Sequence, residues 1–425
     1  MLGAGFAGLA AAYDLAGAGH EVVVFDPLDR PGGLAAGFRD ERWAWPLERF
    51  YHHLFTSDDA ILDLARETGF ADRVLVRRPV TASFFRGRAY ALDGPLPVLR
   101  FPGMPPADRV RMGLAIAYLK VTRDWHALED VAARDWVIRW MGRAAYDAIW
   151  EPLLVGKFGP RHAEVPMSWL WARLHKRSMR LIYFAGGFQA FADHLQGAAA
   201  ARGAQVRLGA RVGRLGRAAT GLSVDVEGEA APLAFDRVIA TVGPHLLGRL
   251  APDLPPDYLA GLRALPYLGA IVAVLALDRR LMREVYWLSM DKREFPFLAC
   301  VEHTNFMDPE HYGGDHLVYL GDYLPPDDRR FGLDDDALLA EWLPWLTRIN
   351  PDFEPAWIRR AWVHRAAYAQ PVVPLGFSAH IPPLATPIPG LTLASMSQVY
   401  PWDRGTNYAV EIGRRAAGHV LAGAA

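Results

Sequence analysis

The stretch MLGAGFAGLAAAYDLAGAGHEVVVFD sets glycines at 3, 5 and 8, then a run of small apolar residues, then a β-rich run closing on an acid. No other feature restricts the fold as strongly. Gly3 permits a tight turn, Gly5 lets a pyrophosphate approach the main chain, and Gly8 lets the following helix pack close to a sheet. Ala7 to Gly17 reads as that helix, with Leu9, Tyr13 and Ala16 on one face, its free N–H groups and positive dipole end aimed at the anion. Glu21 to Phe25 reads as a buried strand. Asp26 follows at its C-terminal end, where an acid accepts hydrogen bonds from ribose hydroxyls. Only Met1 and Leu2 precede Gly3, whereas a strand takes about five residues. The first strand is therefore expected to begin upstream of Met1, with a two-residue stub as the alternative.

A chain of 425 residues, 52% of them hydrophobic, has material for two or three domains. With 46 basic and 47 acidic residues there is no electrostatic footprint for nucleic acid. The single cysteine, Cys300, excludes an internal disulfide and a thiolate metal cluster, and its flanks mark it as a buried hydrophobe. No metal site is expected: His52-His53 is a poor ligand spacing, and no HExxH occurs. A Gly-x-Ser-x-Gly nucleophile elbow is absent as well. No secretory signal is visible, and apolar runs such as Tyr267 to Leu277 are too short to span a bilayer, so cytoplasmic residence is expected. Met112 to Leu119, flanked by Arg109, Arg111, Lys120 and Arg123, reads as a buried helix or as a peripheral membrane contact.

Beyond Asp26, Arg30-Pro31-Gly32-Gly33 forms a second loop able to bring backbone and a cation to phosphate. A surface helix over 58–72, a hairpin over 83–92 turning at Arg86-Gly87, and a largely helical stretch over 106–150 follow. From 186 the α/β style returns, with a Gly pair, a helix, strands at 205–208 and near Val212, a hairpin, and a strand ending at Thr241. Strands at 269–277 and 316–324, a helix over 334–349 and Pro-rich loops come next. The chain closes on a strand at 390–396 and a helix capped by Thr406 or Asn407. No internal repeat is present.

Four separated stretches form one pattern: the Gly loop with Asp26, the Arg30-x-Gly32-Gly33 loop, the Gly186-Gly187 helix leading to the 205–214 strands, and the terminal strand–YPWDRGTNYAV–helix. Together they resemble the flavin-dependent superfamily of amine oxidases, protoporphyrinogen oxidases, phytoene desaturases and UDP-galactopyranose mutases. The resemblance implies an α/β fold: a discontinuous, Rossmann-like FAD-binding domain of the GR2 type (1–57, 186–245 and 385–425) plus an α+β substrate domain with a mixed sheet and a helical cap (58–185 and 246–384). It implies FAD, with Gly3, Gly5, Phe6, Ala7 and Gly8 holding the pyrophosphate and Asp26 the adenosine ribose. Arg30, Gly33 and Leu34 would line the diphosphate and ribityl region, and Val212 would meet the adenine. Asp403, Asn407, Tyr408 and Ala409 would close on the ribityl chain and the ring carbonyl. The last strand runs into Ala394-Ser395-Met396-Ser397 rather than Gly-Asp or Gly-Glu, and the next acid is Asp403, an arrangement closer to the mutase branch. The paired-aromatic cage and partnering lysine of typical amine oxidases are not identifiable.

Catalytic candidates are Tyr51, His52 and His53, which could move protons near neutral pH, Lys157 in an apolar loop, Tyr368 on a strand edge, and Tyr400 as a cavity wall. Arg173, Arg177 and Arg180 could meet an anion. The reading is an FAD-dependent oxidoreductase that removes hydride from a bulky small-molecule substrate and is reoxidised by oxygen or a quinone. Two alternatives stay open: a redox-neutral, mutase-like enzyme on a nucleotide sugar, and a flavin-binding protein without turnover, membrane-peripheral or not.

Overall fold

A computed structural model describes residues 1–92 and 94–423. The helix Phe6–Gly17 starts directly after Gly5, and its alanines leave a smooth, wholly buried surface. Against it pack the helices Gly187–Ala201 and Thr406–Ala422. Beneath them, Val23–Asp26 pairs in parallel with Gln205–Leu208, and Val238–Ala240 in parallel with Leu391–Leu393. Leu2 joins the two pairs, bridging Phe25 on one side and Ala240 on the other. Such an all-parallel sheet, with its first βα turn rich in glycine, is the Rossmann-like arrangement the sequence implies. An antiparallel meander (Val212–Arg217, Leu222–Val226, Leu233–Phe235) lies beside it.

The second sheet has seven strands in the order Ile358–Pro371, Tyr267–Leu277, His316–Leu324, Ala299–Glu302, Val285–Ser289, Val80–Phe85, Arg88–Ala91. It is mixed: Val285–Ser289 runs parallel to Val80–Phe85, and the other pairs are antiparallel. Tyr267–Leu277, one in from the edge, is paired on both sides and buried on both faces, which explains its unbroken apolar run. The expected hairpin turns at Arg86-Gly87, both with positive φ (49° and 80°). A helical layer caps this sheet, including Pro106–Val121, Ala133–Met141, Glu151–Phe158 and Met167–Lys176. Cys300 is buried in the sheet.

Several expectations shift. The predicted 334–349 helix is α-helical only over Asp335–Trp342 and tightens to a 3₁₀ turn over Leu343–Arg348, where Pro344 breaks the ladder. Leu181–Phe184 is a strand between Leu54–Phe55 and Val74–Arg77, unmarked by any turn signal in the sequence. The terminal helix starts at Thr406, but neither Thr406 nor Asn407 caps it; Gly405 holds that place without a side-chain bond.

Candidate active site

One cavity of about 1110 Å³ runs between the two sheets. That exceeds the roughly 300–1,000 Å³ of ordinary ligand pockets and leaves room for a dinucleotide and a substrate together. Its first end is backbone. Gly3, Gly5, Phe6 and Ala7 line it, and the helix behind them has no side-chain cap and no acid in its first turn. The amides at that end are free for a ligand anion. Gly8 lies behind the wall rather than in it: a Cβ there would sit 1.9 Å from the Gly3 carbonyl oxygen, so it serves the close packing of helix on loop. The second loop docks on the first through the Gly32 amide, which donates to Ala4 O at 2.9 Å. Gly33, at φ +60°, faces Gly5 so closely that a Cβ would come within 3.3 Å of its Cα.

Asp26 stands in this wall with both carboxylate oxygens anchored, Oδ2 by the Ala4 amide (2.7 Å) and Oδ1 by the Leu28 amide (2.9 Å). Each oxygen keeps a further lone pair, so the acid can both shape the loop and meet a ribose hydroxyl. Leu34 and Val212 also line the cavity. Arg30 does not reach it. Its guanidinium grips Asp29 through Nε and Nη2 (both 3.0 Å) and donates from Nη1 to Gly37 O, which holds it at the surface.

At the other end the wall is made of side chains. Lys157 Nζ lies 2.6 Å from Asp403 Oδ2 and 3.4 Å from Gln370 Oε1, and Arg173 Nη1 reaches the same Asp403 oxygen at 3.1 Å. Arg404 adds a third cation, its guanidinium 5.0 Å from the Tyr323 ring centre and its Nε without a protein partner. Burial pulls the Lys157 ammonium down to about 7, against the pull of Asp403. Burial pushes Asp403 the other way, yet Lys157 and Arg173 outweigh it and hold the carboxylate below its ordinary range. Burial also lowers Arg404 to about 10, which leaves it charged. Lys157 and Arg173 thus converge on a single acid with the Arg404 guanidinium over the neighbouring Tyr323 ring, a setting that favours negative charge on whatever occupies the space between.

His52 and His53 line the cavity as well. Burial lowers them to about 4 and about 3, so they are neutral near pH 7, a correction to their expected titration there. His52 Nδ1–H donates to Phe50 O at 2.6 Å, which makes Nε2 the acceptor nitrogen; His53 Nδ1 pairs with the Tyr286 hydroxyl at 3.1 Å. Tyr368 is a wall residue whose phenol burial pushes up to about 12, so it stays protonated.

Three other candidates lie elsewhere. Tyr400 bonds Ser168 Oγ (2.6 Å) behind the cavity rather than on its wall. Asn407 Oδ1 accepts from the Ile61 amide at 3.1 Å, in the first turn of the helix Asp59–Glu67. Tyr408 stacks on Trp402, ring centres 6.0 Å apart and planes nearly parallel. Asp403 and Ala409 do reach the cavity, joined by Arg404 and Thr406, which sequence reasoning overlooked. The terminal helix, like the first, has no side-chain cap and no first-turn acid. Two bare helix ends and a backbone-lined cradle between Gly5 and Gly33 fit a flavin dinucleotide.

Comparison with known proteins agrees. Over 281 residues the chain is 28% identical to a protein described as the flavin-containing monoamine oxidase AofH of Mycobacterium tuberculosis; the match takes in 61% of this chain and 60% of that relative's length. Among solved structures, a protein described as a protoporphyrinogen oxidase, from Exiguobacterium sp. 255-15, superimposes with a TM-score of 0.77 at 16% identity, covering 99% of this chain and 98% of that one. A reduced UDP-galactopyranose mutase does so with a TM-score of 0.75, also at 16% identity, covering 99% and 94%. The profile of the flavin-containing amine oxidoreductases matches residues 6–421, and the chain belongs to that family.

Proposed function

We propose that this protein is an FAD-dependent oxidoreductase that takes a hydride from a bulky, largely apolar organic molecule and passes the electrons to oxygen or a quinone-like acceptor. The observation that carries the reading is that one cavity contains both the glycine cradle and a chamber lined by Met112, Ile116, Ile149 and Leu298. The flavin, when bound, supplies the hydride acceptor. The chain's own groups do the rest. Gly3, Gly5, Phe6 and Ala7 would hold the diphosphate, Asp26 the ribose, Val212 the adenine, and Thr406 and Ala409 the ring end. Lys157, balanced between ammonium and amine near neutral pH, would take the proton that leaves a substrate N–H or O–H. Tyr368 would donate a hydrogen bond, and neutral His52 and His53 would shape the wall without adding charge. The division into a cofactor part (1–57, 186–245, 385–425) and a substrate part (58–185, 246–384), and residence in the cytoplasm, belong to the same reading. The experiment is anaerobic mixing of the yellow holoprotein with candidate substrates: bleaching by one of them supports the proposal, and a flavin that no apolar amine, cyclic or polyene compound reduces counts against it.

A second reading has its own support. Lys157 and Arg173 on Asp403, with Arg404 over Tyr323, suit the diphosphate of a nucleotide sugar handled without net oxidation. Turnover only after prior reduction, with no acceptor consumed, would favour it.

A further inference from the structure

The helix Pro106–Val121 is apolar on both sides. Its inner face is buried through Met112, Ala115 and Leu119, and Met112 and Ile116 line the cavity. Its outer face carries Val110, Leu114, Tyr118 and Val121, which are 55, 69, 56 and 75% exposed. Spacings of four, four and three residues set these side chains in one stripe, and Gly113 and Ala117, exposed between them, add no polar group. From Met112 to Leu119 the helix carries no charge on any side, as a helix in a core or in lipid does. Here the outer stripe stands open, and Leu96 and Leu99, 54 and 44% exposed, extend it on the neighbouring helix Pro95–Leu99. The two helices are tied together where Arg109 Nη1 donates to Leu99 O at 3.0 Å.

The rim of this patch is predominantly cationic, with Asp124, exposed beside Arg123, an acid at its edge. From 95 to 123 the sequence holds Arg100, Arg109, Arg111, Lys120 and Arg123 against one acid, Asp108, which is bound to Arg111. Arg109 and Lys120 donate to backbone carbonyls, which order the side chains without cancelling their charge. A patch this apolar marks an interaction surface, and its cationic border selects the partner. In a two-fold pairing of identical chains, the same patch meets itself and the cationic rims are brought together. An anionic lipid surface meets both the stripe and the rim favourably.

We propose that this face docks on an anionic bilayer, with the helix Pro106–Val121 lying in the headgroup plane. The same helix separates lipid from cavity, presenting Leu114 and Tyr118 to one and Met112 and Ile116 to the other. An apolar substrate held in the membrane therefore has its shortest route into the chamber beside this helix. No helix among the described residues is long and apolar enough to cross a membrane, so the contact is interfacial.

The test is co-sedimentation of the purified holoprotein with vesicles of phosphatidylcholine alone and of equimolar phosphatidylcholine and phosphatidylglycerol. The expected result is about tenfold or greater preference for the anionic vesicles, weakened by salt. L114E/Y118E should lose vesicle binding while its flavin spectrum and melting temperature stay as in the parent, and R100E/R123E should lose the anionic preference. Three results would overturn the proposal: parent protein left in the supernatant with anionic vesicles, L114E/Y118E binding as well as the parent, or a vesicle-free dimer that L114E/Y118E converts to monomer while neither form binds lipid.

Discussion

The two ends of the cavity are built from different material. At the cradle, the ligand-facing surface is main chain: Gly3, Gly5, Gly33 and the first amides of a helix, held by close packing and by Asp26. At the chamber, it is side chains drawn from far apart: Lys157 and Arg173, held on the Asp403 carboxylate, and Arg404, held over the Tyr323 ring. Backbone packed as at Gly3 and Gly33 tolerates almost no added atom, whereas side chains placed by charge can be exchanged one at a time. The first end is suited to a fixed cofactor and the second to chemistry that differs between relatives on one fold.

This contrast can be broken or sharpened by substitution. The largest effect belongs to Gly8→Ala, whose new carbon would enter the Gly3 carbonyl; a loss of about 3 kcal/mol of stability in denaturant titration is expected. Gly5→Ala separates binding from folding. The nearest atom to a Cβ at Gly5 is 3.8 Å away, so the apoprotein should melt within a few degrees of the parent while flavin per chain, read by absorbance, falls nearly to nothing. At the chamber, Lys157→Met should keep the flavin and lower kcat by about 10²–10⁴-fold. The parent's rate should rise with pH through about 7, where the lysine becomes the free amine, and the variant's profile should lose that limb.

Two smaller effects test the supporting structure. Glu302, which accepts from the Leu281 and Met282 amides, is raised by burial to about 8. An acid whose folded pKa lies above its unfolded value near 4.5 loses stability as pH climbs between the two. The melting temperature of Glu302→Gln, relative to the parent, should therefore improve from pH 5 to pH 8 whatever its baseline, and a constant difference would contradict the assignment. Asn407→Ala should cost about 1 kcal/mol through the lost bond to Ile61 and leave flavin content unchanged. Lost flavin would mean that Asn407 serves the cofactor after all.

The cradle was legible because its signal is local. Three glycines at fixed spacing, a helix, a strand and an acid fall within 26 residues, and backbone geometry follows from glycine placement directly. The chamber was not. Lys157 and Asp403 are 246 positions apart, and no spacing rule links them. Side-chain direction decides the rest: Asp403, Arg404 and Thr406 point inward, whereas Asn407 and Tyr408, one step on, turn to a neighbouring helix and to Trp402. Arg30 looked like a phosphate ligand by position, but the acid beside it, Asp29, claims its guanidinium. The outer stripe of Pro106–Val121 was visible as composition; only the packing reveals that its apolar residues divide between two faces.

Gly413 on the terminal helix sits so near the first helix that a Cβ would lie 2.1 Å from Ala7 O. The cradle and the segment that closes it are thus in contact although some 400 residues separate them in the chain. On the ribosome the nucleotide loop must wait, half-built, for some 400 further residues before its partner helix is made. A cradle without that helix is incomplete, and a cell short of riboflavin should accumulate chains whose helix Thr406–Ala422 has nowhere settled to dock and which proteases clip there first.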